Sequence, residues 1–207
     1  MSEPVHAYTD IIACDFSYYR PGFAHLRYYP RGRKVAVIET SNIDNKNTAG
    51  KKKPHGQILS EIASELRRYL TGSPMGTLVR EQALSIVVGY SKTNAKYYNP
   101  ETIKILHEVV GVADLYAWGL GGRVFDEIGP KAVKKYVTGN GLAEKDDVAK
   151  ALPQFVGERE YACDDESDAV AVGIAWLIQQ GMIDDPYAKP KKTSKKKVES
   201  ECNTSDT

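Results

Sequence analysis

The run Ile11-Ile12-Ala13-Cys14-Asp15-Phe16-Ser17 is apolar except for one carboxylate, and it breaks soon after at Arg20-Pro21-Gly22. An ionised carboxylate buried without a partner costs several kcal/mol, on the order of the whole stability margin of a domain. Asp15 therefore either begins the turn that follows, where Asp is common, or meets a partner, usually a metal. A second acidic cluster bears on the choice. About 150 residues later, Asp164-Asp165-Glu166-Ser167-Asp168 opens an apolar run that reaches Leu177. Two carboxylate groups far apart in sequence thus stand at the edges of apolar elements, a pattern that points to a divalent-metal centre assembled by the fold.

Residues 11–17, 23–29 and 34–40 read as three strands joined by Pro-Gly and Arg-Gly turns, an antiparallel meander. In the third, Val35, Val37 and Glu39 alternate with Ala36, Ile38 and Thr40, so one face can pack inward. Residues 42–56 read as a loop, and its Lys46, Lys51, Lys52 and Lys53 are either solvated or in contact with phosphate. Apolar residues at helical spacing predict a helix over 58–70, stopped by Thr71-Gly72-Ser73-Pro74. A short strand from residue 77 then places Glu81 as Asp15 is placed, unless Glu81 is a surface residue paired with Arg80 or Lys92.

Tyr90, Tyr97 and Tyr98 interleave with Lys92 and Lys96. Such a set can stack on bases while its cations meet phosphates, or the rings can simply pack at the base of a loop. The helix that Pro100-Glu101 opens has apolar positions at 103, 105, 106, 109, 110, 112, 113 and 115, a surface broad enough for a sheet face or a subunit interface. After a last strand over 124–128, Pro130 starts a basic helix with Lys131, Lys134 and Lys135. Its end at Gly139 and Gly141 reads as a C-cap and turn or as a weak phosphate signal. A helix over 143–152 carries Lys145 and Lys150, and the closing helix over 165–180 sets Asp165 and Asp168 on one face. Acids at a helix N-terminus also complement its dipole, which accounts for Asp164, Asp165 and Glu166 better than for Asp168.

A chain of 207 residues with 42% hydrophobic content suits one α/β domain. That domain is expected over 10–183, after a polar leader at 1–9 and before a tail at 184–207. The tail holds six lysines between Lys189 and Lys197 and is expected to be disordered. Lys+Arg 28 against Asp+Glu 27 leaves any affinity for nucleic acid to local basic patches. Three cysteines without metal-ligand spacing, no cleavable leader and no long apolar span read as a reduced, cytoplasmic protein with no membrane partner.

The predicted order, three antiparallel strands and then alternating helices and strands, is that of the ribonuclease H-like fold, an α/β architecture on a mixed five-stranded sheet. Within it the sequence resembles RuvC-type Holliday-junction resolvases over about residues 10–180. Ile12-Ala13-Cys14-Asp15-Phe16-Ser17 matches the first acid, Val79-Arg80-Glu81-Gln82 the second, and Asp165-Glu166-Ser167-Asp168-Ala169-Val170-Ala171 the final pair. The most specific match spans 13 positions from Val133 to Lys145 and resembles the family's lysine- and glycine-bearing segment near the DNA backbone. Members often carry an aromatic shortly after the second acid, where Leu84 stands here, and Tyr90, Tyr97 or Tyr98 are the available substitutes. The long loop at 42–56 and the lysine tail suggest a divergent member of a phage or viral kind.

The resemblance implies four metal ligands, Asp15, Glu81, Asp165 and Asp168, holding two Mg²⁺ ions roughly 4 Å apart, with Mn²⁺ as a substitute. It implies a structure-selective endonuclease that resolves four-way DNA junctions by paired nicks, leaving 5′-phosphate and 3′-hydroxyl ends. A homodimer would suit the two-fold symmetry of the substrate. Lys145 would act at the reacting phosphate, and Lys134, Lys135, the Tyr90–Tyr98 group and Lys51, Lys52 and Lys53 would bind DNA. Competing readings keep the fold but take flaps, forks or RNA–DNA hybrids, or make it a non-catalytic binding module. A sugar-kinase-like ATPase would want glycine where Phe16 stands and a second phosphate loop, and the sequence offers neither.

Overall fold

Alternation along strand β1 (Thr9–Asp15) sorts the molecule into two layers. Ile11 and Ala13 face one side of the sheet and Ile12 and Cys14 the other, all fully buried, because successive strand side chains point to opposite faces. The computed structural model describes residues 8–17, 20–46, 49–83 and 100–188. Strands β2 (Gly22–Tyr29) and β3 (Lys34–Asn42) continue antiparallel from β1, while β4 (Thr77–Glu81) and β5 (Phe125–Ile128) run parallel to it on the other side. The sheet order is β3-β2-β1-β4-β5, the mixed five-stranded arrangement expected from the sequence.

Helices α1 (His55–Gly72) and α2 (Pro100–Gly119) cover the face that carries Ile12, Cys14 and Phe23. The other face is covered by α3 (Pro130–Thr138), α4 (Lys145–Ala151), the single turn α5 (Pro153–Val156) and α6 (Asp164–Gln179). In α6 every residue from 166 to 178 except Asp168 is buried, as a helix that is apolar all round must be. It lies directly on the strands. A Cβ on Gly173 would strike Leu26 and stand 3.1 Å from the Ala13 Cβ.

The packing of α2 decides between the two readings of its apolar surface. Val109 is fully buried, and Ile105 packs against the same core, so this side of the helix covers the sheet. The apolar side chains that α2 turns outward are Leu115 and Trp118, 68% and 65% exposed. Among the described residues no helix is long and apolar enough to cross a membrane. The stretch read as tail begins within the described residues: Arg33 pairs with Asp184, and the Tyr187 ring lies so close to Gly139 that a Cβ there would come within 2.7 Å of it.

Candidate active site

Asp15 ends β1 directly across from Gly22 of β2. The two-residue period that sends Ile11 and Ala13 into the α6 layer sends Asp15 the same way, and Gly22 clears the space above it. A Cβ at Gly22 would collide with the backbone carbonyl of Asp165, so only glycine lets the first turn of α6 settle on this end of the sheet. Asp165 and Asp168, three apart on that turn, then meet Asp15: each of the three half-buried carboxylates offers an oxygen within 4.8 Å of the others.

Glu81 ends β4, one step beyond the pairing of Cys14 with Arg80 that sets β4 beside β1. It shares a cleft of about 140 Å³ with Asp15, Asp168, Lys134 and Lys145. Asp15 and Asp168 line this cleft beside Glu81, while the close carboxylate group among the described residues is Asp15, Asp165 and Asp168. The alternative pairing of Glu81 with Arg80 does not form. Arg80 points to the α2 face, where it bonds Asp114 at 2.6 Å and Glu127 at 2.7 Å. Glu39, another strand carboxylate, is bound to Arg68 of α1.

The site is held at an electrostatic cost. Burial, then the nearby carboxylates of Asp168 and Asp165, push the Asp15 carboxyl up to about 7, although Lys145 pulls it down. Burial, Asp15 and Asp168 push Glu81 up to about 8, against Lys134 and Lys145. Asp165 is raised too, chiefly by burial. Lys145, first residue of α4, bonds Asp168 at 2.6 Å; burial works against its charge, but this bond and the surrounding acids outweigh it and raise its pKa. Crowded oxygens without a nitrogen or sulfur donor are what a hard divalent cation of the Mg²⁺ or Mn²⁺ type takes, and its charge would relieve the repulsion. The residues present fit such an ion.

The other expected contacts fall in three places. Lys134 lines the cleft, while Lys135 is exposed on α3 and its carbonyl accepts the N–H of Gly139 at 2.8 Å. Gly139, at φ +77°, is therefore the C-cap of α3. Lys51, Lys52 and Lys53 sit in the loop that leaves β3 after Asn42, which pairs with Gly22 and so lies at the Asp15 end of the sheet. Of these, Lys53 is paired with Glu61 at 2.6 Å. Tyr90, Lys92, Lys96, Tyr97, Tyr98 and Leu84 lie outside the described residues. Two residues at the site were not foreseen: Gly22, read only as part of a turn, and Glu166, which turns away from its neighbouring acids towards β3.

Comparison with known proteins adds an independent finding. Residues 13–176 match the family model described as crossover junction endodeoxyribonuclease RuvC. A protein so described from Brachyspira hyodysenteriae is 30% identical over 171 residues, covering 80% of this chain and 94% of its own. In fold, the chain is similar to Thermus thermophilus RuvC in complex with a Holliday junction substrate, with TM-score 0.66 at 16% identity over 84% of this chain and 97% of that one. It is also similar to the yeast mitochondrial Holliday junction resolvase, with TM-score 0.55 at 13% identity over 89% of this chain and 84% of that one.

Proposed function

The chain belongs to the RuvC family of crossover junction endodeoxyribonucleases, and on that premise we propose that it resolves four-way DNA junctions by paired, symmetric, Mg²⁺-dependent nicks. The observation that carries this reading is the gathering of Asp15, Asp165 and Asp168 within 4.8 Å of one another, beside a cleft that Asp15 and Asp168 share with Glu81, Lys134 and Lys145. Two bound Mg²⁺ ions, or Mn²⁺ in their place, would supply an activated water and neutralise charge on the leaving oxygen. Asp15, Asp165, Asp168 and Glu81 are the residues that would hold them. Lys145 and Lys134 border the cleft, where their ammonium groups would hold non-bridging phosphate oxygens and offset negative charge that grows as the bond breaks. Cleavage on this plan leaves a 5′-phosphate and a 3′-hydroxyl.

Paired cutting asks for two sites related by two-fold symmetry, hence a homodimer. The outward Leu115 and Trp118 of α2 favour that helix as the joining surface, since large exposed apolar side chains in one place mark interaction surfaces. The remaining DNA contacts assigned to this function are Lys135 and the Lys51–Lys53 loop. The domain proper is taken as residues 10–183, and a cytoplasmic setting on cellular or host DNA suits this substrate.

The deciding assay incubates the protein with labelled four-way, forked and linear duplex DNA, each with Mg²⁺ or a chelator. Symmetric metal-dependent nicks in the four-way substrate are expected. Equal cutting of forks would move the substrate to other branched DNA, and binding without cutting in Mg²⁺ would make the chain a binding module.

A further inference from the structure

Four acids open α6, and one of them faces the wrong way to bind metal. Glu166 is 6% exposed, and its carboxylate is fully engaged elsewhere. Its Oε2 accepts hydrogen bonds from the Thr40 hydroxyl at 2.8 Å and the Ala162 N–H at 3.3 Å, and its Oε1 accepts from the Asn42 side-chain amide at 2.8 Å. Thr40 and Asn42 are alternate residues at the end of β3, so both donors rise from one face of one strand. We propose that Glu166 is a positioning residue that pins the first turn of α6 to the end of β3, so that Asp165 and Asp168 reach Asp15 in register to share a metal.

Register supports the idea. Asn42, which holds Glu166, is the cross-strand partner of Gly22, which makes room for the carbonyl of Asp165. Gly22 is in turn the cross-strand partner of Asp15. The first turn of α6 is thus located by three residues that stand side by side across β1, β2 and β3. Charge-assisted bonds of this kind are the stronger and more directional ones. They also hold a carboxylate in place without lending it to the ion.

The proposal rests on reading Asp15, Asp165 and Asp168 as ligands, and its test begins without DNA. Mg²⁺ alone, and Mn²⁺ in a parallel series, is titrated calorimetrically into wild type and Glu166→Ala, each first shown folded by circular dichroism. Loss of a group that orients ligands should weaken metal binding by about 10-fold or more. The Mg²⁺ concentration for half-maximal single-turnover junction cleavage should rise by a like factor, with most of the rate recovered at saturating metal and junction binding in chelator unchanged. A purely structural role would lower the melting temperature and leave the metal dependence where it was, and that result overturns the proposal.

If Glu166→Ala does not fold, an exchange decides. Asn42→Asp sets two carboxylates against each other and should weaken metal binding, whereas Asn42→Asp with Glu166→Gln restores one amide facing one carboxylate and should recover it. A double variant as weak as the single one overturns the proposal. Wild type that binds metal but does not cut junctions would refute the functional reading while leaving the role of Glu166 standing.

Discussion

Two aspartates on one strand meet opposite fates. Asp10, near the start of β1, faces away from α6. It accepts bonds from Arg27 at 2.7 and 3.1 Å and from Ser73 at 2.8 Å, with the His25 ring 3.1 Å away. Burial alone would raise its pKa, but these partners overcome it and hold the carboxyl down at about 2. Asp15, five residues on, is surrounded by burial and like charge and sits at about 7. Residue type and strand are the same, so the difference lies in what the rest of the chain brings to each end of the sheet. One end uses a charge to hold the fold together, and the other crowds carboxylates that could hold a cation.

The contrast is broken most directly by exchanging each acid for its amide. Asp15→Asn should reduce junction cleavage by at least about 10³-fold, a loss typical of removing a main electrostatic element of an active site. Gel-shift binding in chelator should stay within about twofold, because binding to backbone phosphates rests on cations. Glu81→Gln should follow in the same direction. Asp10→Asn should cut at the wild-type rate when folded; if it fails to cut, the division between the two ends is wrong.

The next effect is on metal affinity. Ligands must shed protons to bind, and the carboxyls at about 7 and about 8 are partly protonated at neutral pH. Calorimetric titration with Mn²⁺ should show affinity falling severalfold per unit as pH drops from about 8 to about 6, with protons released on binding. An affinity flat over that range would mean that the carboxylates are already ionised.

Stability shows the contrast with smaller numbers and opposite signs. The lowered pKa of Asp10 stabilises the fold fully above the unfolded value of 3.8, and this contribution is lost as pH falls towards about 2. Asp10→Asn should therefore cost about 2 kcal/mol at neutral pH and flatten the acid limb of a urea-unfolding series between about pH 4 and 2. For Asp15 the sign reverses. Its raised pKa leaves the metal-free fold unburdened below 3.8 and increasingly destabilised as pH climbs to about 7. Metal-free Asp15→Asn should accordingly melt a few degrees higher than wild type at pH 8, with no gain at pH 4. A lower melting point at pH 8 would show that the Asp15 charge is structurally compensated.

The sequence carried the strands, the three-strand meander and the acids because these are written in local patterns: period-two runs, and carboxylates at the edges of apolar segments; the rest of the sheet came with the family resemblance. It could not say what lies opposite. Arg80 was available on paper to neutralise Glu81, but adjacent strand residues face opposite sides, and Arg80 spends its charge on Asp114 and Glu127. Val109 could have been core or interface, because an apolar stripe does not reveal whether its cover lies within the fold or on another subunit, and it is core. Glu166 looked like dipole decoration because its donors, Thr40 and Asn42, lie more than a hundred residues away. Gly22 showed its flexibility in the sequence, while the backbone that crowds it is visible only in three dimensions.

The place of α6 in the chain has a consequence for synthesis. A nascent polypeptide that has reached α5 already displays Asp15 and Glu81, yet it lacks Asp165, Asp168 and the buried helix that fills one side of the sheet. Contacts between residues this far apart in sequence form late, and domains fold as units once their parts have emerged. The carboxylate cluster and a finished core therefore wait on the same helix, and a chain that stops short of α6 has neither.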